Sequence, residues 1–419
     1  MRHRIPLLRE LPPEVAALSA VAFCVALGFG IMSPAIPIFA KSFGVTAFAA
    51  TAVISAFALM RFVSSPLSGW LSGLWGERLT VGIGLAIVSV SSVLAGLATD
   101  FAHLLILRGV GGIGSSMFSV GAQALILRVV EPAQRGRASA AYQGGFLFGG
   151  VAGPAVGGIV LAISLRAPFF VYAATLALGS IVTFVFLHPR RLARLNAGTE
   201  DETAVEKSGW GDFTQALRDR SYIAALGSNF TSGIVTYGIR AALVPLFVIE
   251  GLQQSASLAG WAFLLAAAAQ AVLLLPVGRA IDTRGRRPMM IMGSSMLIVS
   301  MVMLVLSDTW SNTPDRPIWP ALTLFLLSMA LGGVANAFVG PAPAAVVGDV
   351  MGGKRGGITI SAFQMMSDFG IIIGPLVGGA LLDAYDFEWA FGFGVVLSVV
   401  ALVLSLIMNE TLQRRAVRQ

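Results

Sequence analysis

Charged residues and cysteine are scarce in this sequence. Asp, Glu, Lys and Arg make up 12% of the 419 residues, against about a quarter in soluble domains. A chain with so little charge cannot cover a globular surface with polar groups, so composition argues against a soluble protein. Cys24 is the only cysteine, which excludes a disulfide within the chain.

Residue types that carry chemistry or bind metals are also rare. The three histidines, His3, His103 and His188, lie near a terminus or near the end of an apolar run. The sequence contains no His-Glu-x-x-His pair and no Gly-x-Ser-x-Gly elbow. We therefore expect a protein that is not an enzyme and that holds no cofactor and no metal.

Long apolar runs are abundant instead. The mean hydropathy is +0.83, and a membrane-spanning helix needs roughly 20 apolar residues. Twelve runs have about this length: 15–40, 48–72, 79–98, 102–126, 138–163, 167–187, 222–249, 257–279, 288–306, 319–348, 357–383 and 388–408. The first run is too long for a cleaved signal segment and is interpreted as a retained span. The sequence predicts an all-α membrane protein with twelve transmembrane helices.

The basic residues are distributed unequally between the loops. Of the 28 Lys and Arg residues, 22 fall in one alternate set of loops and chain ends. The opposite set holds only Lys41, Arg166 and Arg316. Since basic residues accumulate on the cytoplasmic side, we expect both termini in the cytoplasm and the protein in the plasma membrane. The net charge of +7 is then a topology signal, and we expect no nucleic-acid partner.

The two halves of the chain repeat each other. The fifth-span motif Gly149-x-x-x-Gly153-Pro154-x-x-Gly157-Gly158 recurs 221 residues later as Gly370-x-x-x-Gly374-Pro375-x-x-Gly378-Gly379. After the second span, Gly69, Gly76 and Arg78 recur 209 residues later as Gly278, Gly285 and Arg287. Tight helix packing alone is the alternative explanation for either motif by itself. Together they predict two six-helix bundles, at 1–187 and 222–419, joined by a cytoplasmic linker at 188–221, a transporter architecture.

Over essentially its whole length the sequence resembles the major facilitator superfamily. The run from Gly278 through Asp282 and Gly285 to Arg286 and Arg287 looks like the loop signature of that family between spans eight and nine. The first-half copy is degenerate, because Gly73 and Glu77 replace the usual acid and base.

Two further motifs are similar to those of the superfamily. The segment from Arg108 to Gly114 resembles its fourth-span motif, with Gly111 where Gln is common. The Gly149–Gly158 motif and the segment Gly28–Pro37 resemble the drug:proton antiporters. The resemblance implies that spans one, four, seven and ten line a central cavity and that spans two and eleven face each other.

Charged residues inside spans are candidates for function, because each costs at least ~2.5–3.5 kcal/mol at the bilayer centre. Asp368 is the only acid that we place well inside a predicted span, and Gln364 lies four residues earlier on the same face. Arg61 lies at a comparable depth in span two. We predict an Arg61–Asp368 pair in which protonation of Asp368 couples transport to protons. A fixed structural ion pair is the alternative.

Polar stripes at helical spacing mark the predicted substrate cavity. Its candidate residues are Arg108, Ser115, Ser119 and Gln123 in span four, Asn229, Thr236, Tyr237 and Arg240 in span seven, and Asn336 in span ten, with Gln364. Three arginines against one acid favour neutral or anionic lipophilic substrates.

These features predict a secondary transporter that exports small lipophilic compounds or drugs by proton antiport and alternating access. A proton symporter or uniporter for a metabolite, or a lipid or lysolipid flippase, remains the alternative. The expected partners are a small-molecule substrate, protons and membrane lipid, and we expect a monomer.

Overall fold

The chain folds into long apolar helices. The computed structural model describes residues 12–130, 135–187, 210–351 and 358–412, and these residues contain helices and no strand. Among them, eleven helices are long and apolar enough to cross a membrane, and a twelfth bends by 40° near Pro154. The prediction of an all-α chain with twelve spans is confirmed. Most of the predicted linker, 188–209, and both chain ends lie outside the described residues.

Spans 1 to 6 form the first half of the chain. Span 1 is Pro13–Met32 continued by Ala35–Lys41, and spans 2 to 6 are Ala47–Trp75, Glu77–Gly96, Phe101–Val129, Arg135–Ile163 and Ala167–Phe186. Spans 8, 9, 11 and 12 are Ala256–Arg284, Arg286–Ser311, Ile358–Ala384 and Phe387–Ile407. Span 10 is Trp319–Val339 continued by Pro341–Met351. A short helix, Trp210–Ala216, precedes span 7.

Span 7 departs from regular α-helix. It begins as Arg220–Ser232, widens into a π-helix over Gly233–Arg240, returns to α over Ala241–Leu246 and widens again over Phe247–Gly251. Segments of π-helix are rare and often lie at functional sites. Thr236, Tyr237 and Arg240, which the sequence predicts as cavity residues, all lie on the first of these π-helical segments.

The outer surface of the helices is apolar. Large side chains such as Ile163, Val272 and Leu275 are 75–77% exposed. Large apolar side chains exposed in this number are rare on soluble monomers but are expected where lipid is the solvent. Helices satisfy their own backbone groups, which lipid cannot do. The protein is therefore an integral membrane protein.

The contacts divide the chain into two units. The first takes in Met1–Val45 and Ala56–Glu202, and the second takes in Thr46–Ser55 and Thr203–Gln419. Within the first unit span 1 packs on spans 5 and 6, and span 3 packs on spans 4 and 6. Within the second, span 7 packs on spans 11 and 12, and span 9 packs on spans 10 and 12. Each unit thus repeats the same helix pairing.

The first ten residues of the span 2 region belong to the second unit. Thr46–Ser55 pack with the second unit, whereas the helix that they begin continues to Trp75 in the first. The predicted boundaries, which assign all of 1–187 to one bundle, stay a prediction.

The glycine motif of span 5 brings two backbones together. A Cβ atom added at Gly153 would lie 2.6 Å from the backbone oxygen of Leu27 and 2.8 Å from the Cα of Gly30. One added at Gly157 would lie 3.0 Å from the Cα of Ile31. Only glycine fits at this distance, and the absence of side chains lets spans 1 and 5 approach closely.

The motif of span 11 makes the same contact with span 7. A Cβ added at Gly370 would lie 2.6 Å from the backbone oxygen of Phe230, and one at Gly374 would lie 2.7 Å from that of Ile234. The proline rings also correspond. A Cβ at Gly30 would meet Pro154 Cδ at 2.9 Å, and one at Gly238 would meet Pro375 Cδ at 3.2 Å. The repeat in the sequence is a repeat of one helix contact.

These contacts predict which glycines tolerate a methyl group. We expect Gly153→Ala and Gly374→Ala each to destabilise the protein by about 1–3 kcal/mol, because overpacking forces two backbones apart. Thermal unfolding in detergent measures the effect.

Gly150→Ala is the matched control, since a Cβ at Gly150 meets nothing within 4 Å. Alanine favours a helix by about 1 kcal/mol over glycine, so this variant should melt at the parent temperature or above it. Equal melting temperatures in all three variants would contradict the proposed close contact between the helix backbones.

Candidate transport site

Asp368 and Arg61 are both half-buried charged residues within spans. Asp368 lies ten residues after Ile358, where span 11 begins, so it is about 15 Å along the helix. Arg61 lies near the middle of span 2. Arg61 belongs to the first unit and Asp368 to the second. Their pairing stays a prediction.

Three of the predicted cavity residues have exposed side chains. These are Gln123 in span 4, Tyr237 in span 7 and Gln364 in span 11. Tyr237 is 51% exposed although it lies on a span that is otherwise mostly buried. An exposed phenol or amide at membrane depth needs water or a bound molecule as its partner. Their contact with a substrate stays a prediction.

Arg108 is packed inside the first unit. Its side chain is 2% exposed, and the guanidinium carbon lies 4.4 Å from the centre of the Phe57 ring. Its Nη1 lies 3.7 Å from the sulfur of Met32, and its Nε has no hydrogen-bond partner within the part of the chain that the structure describes. A cation held by an aromatic face and a sulfur is weakly compensated. A substrate could reach it only if these side chains moved.

Arg240 is packed inside the second unit. Nη1 donates to Ser300 Oγ at 2.7 Å, and Nη2 donates to the backbone oxygen of Ser328 at 3.3 Å. The guanidinium also occupies the space beside Gly332, where any Cβ would collide with it. The side chain is 4% exposed. Arg240 therefore ties span 7 to spans 9 and 10.

The other polar residues of the predicted stripes make contacts between or within helices. Asn229 Nδ2 donates to the backbone oxygen of Phe363 at 2.6 Å, which joins spans 7 and 11. Thr236 Oγ1 donates to Asn336 Oδ1 at 3.1 Å, which joins spans 7 and 10. Ser119 Oγ donates to the backbone oxygen of Ser116 at 3.2 Å, and Ser115 is half-buried.

A network of charges surrounds the loop between spans 8 and 9. Arg286 is buried, and its guanidinium pairs with Asp282 at 3.2 Å and with Asp349 at 3.0 Å. Thr411 Oγ1 donates to the same oxygen of Asp349 at 2.9 Å. Gly285 has φ +110°, a backbone conformation that glycine adopts readily, and turns the chain between the two spans. Asp282, Gly285 and Arg286 of the predicted signature thus act in one cluster.

Glu410, which lies just after the end of span 12, also contacts this cluster. Its carboxylate accepts hydrogen bonds from the backbone N–H groups of Arg286 at 2.9 Å, Arg287 at 3.1 Å and Leu412 at 3.0 Å. Partial burial raises the pKa of the carboxyl, but these bonds and one from Thr411 outweigh it and hold the pKa below its usual value. The carboxylate lies at the N-terminus of span 9, where the helix dipole favours negative charge.

The loop between spans 2 and 3 keeps only part of this arrangement. Gly76 has φ +81° and begins span 3 as Gly285 begins span 9. Arg78 donates to the backbone oxygen of Phe184 at 2.7 Å near the end of span 6, and Arg287 donates to that of Leu406 at 2.6 Å near the end of span 12. Gly73 and Glu77 stand in place of the Asp282–Arg286 pair, as the sequence indicates.

Comparison with known proteins establishes the family. The model of the Major Facilitator Superfamily matches residues 18–239 and 225–418. The chain belongs to the major facilitator superfamily. Its fold is accordingly the predicted pair of pseudo-symmetric six-helix bundles, and the protein is a transporter of this superfamily.

The curated relatives include drug-resistance proteins. The chain is 25% identical to the quinolone resistance protein NorA of Staphylococcus aureus (strain MRSA252), over 91% of this chain and 93% of the relative. It is 22% identical to multidrug resistance protein 2 of Bacillus subtilis (strain 168), over 93% of each chain. The predicted resemblance to the multidrug efflux branch is confirmed.

Solved structures share the fold. A bacterial homolog to the human lysosomal transporter Spinster matches with a TM-score of 0.76 at 16% identity, over 99% of both chains. The nucleoside transporter NupG matches with a TM-score of 0.70 at 15% identity, over 94% of this chain and 99% of that one.

Several acidic residues make contacts that the sequence patterns do not predict. Asp349 and Glu410 lie in or beside apolar runs, and nothing in their local sequence shows that they meet the loop after span 8. Asp308 is 1% exposed at the end of span 9, where Asn312 Nδ2 donates to it at 3.2 Å. Span 9 runs to Ser311, five residues beyond the predicted 306, because the helix continues past the apolar run.

The Glu410 contacts predict a pH-dependent stability. A carboxyl whose pKa is depressed in the folded protein stabilises it above the unfolded pKa, about 4.3 for Glu, and loses this contribution as the pH falls through the folded value. We expect Glu410→Gln to melt a few degrees lower than the parent at about pH 7. The difference should shrink below about pH 4.

Asp315→Asn is the control, because Asp315 is exposed in the loop between spans 9 and 10. It should melt with the parent at neutral pH. A Glu410→Gln variant that matches the parent at neutral pH, or falls further behind it in acid, would contradict the assignment.

Proposed function

We propose that this protein exports small lipophilic compounds in exchange for protons, by alternating access. The observation that carries the proposal is the carboxyl of Asp368, half-buried about 15 Å along span 11. The exposed amide of Gln364 lies one turn earlier on the same helix. An acid retained at this depth is costly and is a functional candidate by default.

A carboxyl in such a place can couple proton movement to substrate movement. Removal from water favours the neutral form of an acid, and a nearby cation favours the charged form. We assign the cation to Arg61 and propose that proton uptake by Asp368 weakens its pairing with Arg61. Substrate and proton then compete for one state of the carrier, which is the requirement for antiport.

The proposed substrates follow from the relatives and from the charges. NorA and multidrug resistance protein 2 carry names that denote drug resistance, and the alignment with each covers more than nine-tenths of this chain. In the sequence, three arginines against one acid within the predicted spans favour neutral or anionic lipophilic compounds. The structure packs Arg108 and Arg240 inside their units, so the proposal of quinolones and similar compounds rests chiefly on the names of the relatives.

The orientation in the membrane is part of the proposal. The 22-to-3 distribution of basic residues between alternate loops supports cytoplasmic termini in the plasma membrane. Export then moves the compound away from the side that holds the loop after span 8. We propose that the protein works as a monomer, since each chain supplies both units.

A pH gradient across reconstituted vesicles tests the exchange. With the vesicle lumen acidified, addition of a quinolone should collapse the gradient in the parent protein, as read from a pH-sensitive dye. We expect Asp368→Asn to slow the collapse by about tenfold or more, because the amide cannot carry the proton. Binding of the compound, followed by tryptophan fluorescence, should persist.

Asp386→Asn is the matched control, because Asp386 is an exposed acid at the start of span 12 whose side chain makes no cap hydrogen bond. It should behave as the parent. An Asp368→Asn variant that collapses the gradient at the parental rate would rule out the assigned role. Saturable quinolone flux that leaves the gradient intact would indicate a uniporter.

A further inference from the structure

The guanidinium of Arg240 makes its contacts with the helices that neighbour span 7. Its Nη1 donates to Ser300 Oγ at 2.7 Å, and its Nη2 donates to the backbone oxygen of Ser328 at 3.3 Å and lies 3.2 Å from the sulfur of Met329. Gly332 supplies the space, because any Cβ there would collide with the guanidinium. A cation held by hydroxyl, carbonyl and thioether groups in this way fixes the position of span 7.

Arg240 is the last residue of the first π-helical segment of span 7. Thr236, one turn earlier, is a second anchor to span 10, since its Oγ1 donates to Asn336 Oδ1 at 3.1 Å. Gly238 packs against span 11, where a Cβ on it would lie 3.0 Å from the Cα of Gly374. The π-helical segment is thus held by contacts with two different spans.

The wide turn of this segment separates the side chain of Tyr237 from that of Arg240. An α-helix turns about 100° per residue, so a step of three residues would leave the two side chains only about 60° apart. Hydrogen bonds from residue i to residue i+5 widen the turn, so each residue turns less and the two side chains point further apart. Tyr237 is accordingly 51% exposed, whereas Arg240 is 4% exposed. An α-helical turn anchored at Arg240 would carry the Tyr237 ring toward the packed side.

We propose that Arg240 is a positioning residue for substrate, because its contacts hold the π-helical turn that presents the ring of Tyr237 to planar aromatic compounds. The inference rests on the proposed function, since it names the part of the substrate that this residue meets. An exposed phenol ring offers a flat apolar face, on which aromatic compounds stack in offset or edge-to-face arrangements. A binding residue is most effective when hydrogen bonds behind it fix its place, and Arg240 and Thr236 supply these bonds. Arg240 then acts through Tyr237, although its place in the polar stripe predicts a residue that lines the cavity.

Binding of a fluorescent quinolone to the purified full-length protein in detergent tests the presentation of the ring. Fluorescence anisotropy of the compound gives the Kd. We expect Tyr237→Leu to raise the Kd about fivefold, because the stacking partner is lost. Tyr237→Phe keeps the ring and should stay within about twofold of the parent. Equal Kd values for the parent and Tyr237→Leu would overturn the proposal.

A double-mutant cycle tests whether Arg240 acts through Tyr237. Gly332→Ala displaces the guanidinium without removing its charge, so we expect the Kd to rise about fivefold, as in Tyr237→Leu. Combined with Tyr237→Leu, it should raise the Kd no further. Gly348→Ala on the same span is the matched control, because a Cβ at Gly348 meets nothing within 4 Å. It should leave the Kd within about twofold of the parent.

The outcomes distinguish positioning from direct contact and from packing alone. Losses that multiply in the double variant would show that Arg240 meets the compound itself, and would overturn the proposal. A parental Kd in Gly332→Ala, whatever its melting temperature, would leave Arg240 a packing role only and would equally overturn it. If Gly332→Ala fails to fold, Ser300→Ala removes the acceptor of Nη1 without adding bulk, and an unchanged Kd in that variant contradicts the proposal.

This assay uses no pH gradient, so its result is separate from that of the antiport experiment. Quinolone binding that depends on Tyr237 and Arg240 would stand even if the compound does not exchange for protons. Exchange for protons would likewise stand if the Kd is the same in every variant, and the positioning role alone would then be wrong.

Discussion

A polar or charged group within the hydrocarbon of a membrane has no solvent to bind, so it must find a partner in the protein, in a water-filled space or in a bound molecule. This requirement accounts for where the chain keeps its few polar groups. The guanidinium of Arg240 donates hydrogen bonds to Ser300 and Ser328, and Asn229 donates to a backbone oxygen of span 11. Among the described residues, Arg108 contacts the aromatic face of Phe57 and the sulfur of Met32. Gln123, Tyr237 and Gln364 are among the polar groups that remain exposed, and such groups need water or a bound molecule as a partner.

The two units meet this requirement with the same contacts between helices but with different charged residues at their loops. Glycines in spans 5 and 11 bring backbones together against spans 1 and 7, which needs no polar side chain at all. The loops after spans 2 and 8 both turn at a glycine with positive φ and both send an arginine to a backbone oxygen of the sixth span of their half. Among the described residues, the loop after span 8 also carries the Asp282–Arg286–Asp349 cluster and the Glu410 cap. Gly73 takes the place of Asp282 in the loop after span 2, so the first unit cannot form the same ion pair there.

Much of this organisation could be predicted from sequence, because it depends on local pattern. Apolar runs of a fixed length give the spans, and two motifs repeated in register give the halves. The pairing of Asp349 and Glu410 with the loop after span 8 could not be predicted, since the contact joins residues more than 60 positions apart. The same holds for Asp383, whose carboxylate accepts a hydrogen bond from the backbone N–H of Ala47 at the start of span 2. The burial of Arg108 and Arg240 also could not be predicted from sequence. Polar residues at helical spacing mark one face of a helix, but they do not show which side chains of other helices pack over that face.

In the proposed function, one carboxyl, that of Asp368, exchanges a proton when substrate binds. Purified protein in weakly buffered detergent solution with a pH indicator tests this without a membrane or a gradient. We expect saturating quinolone to release about one proton per protein molecule near neutral pH, and we expect this release to disappear in Asp368→Asn while binding remains. Proton release of the same size from the Asp368→Asn variant, or binding by the parent with no release at any pH between about 5 and 9, would contradict it.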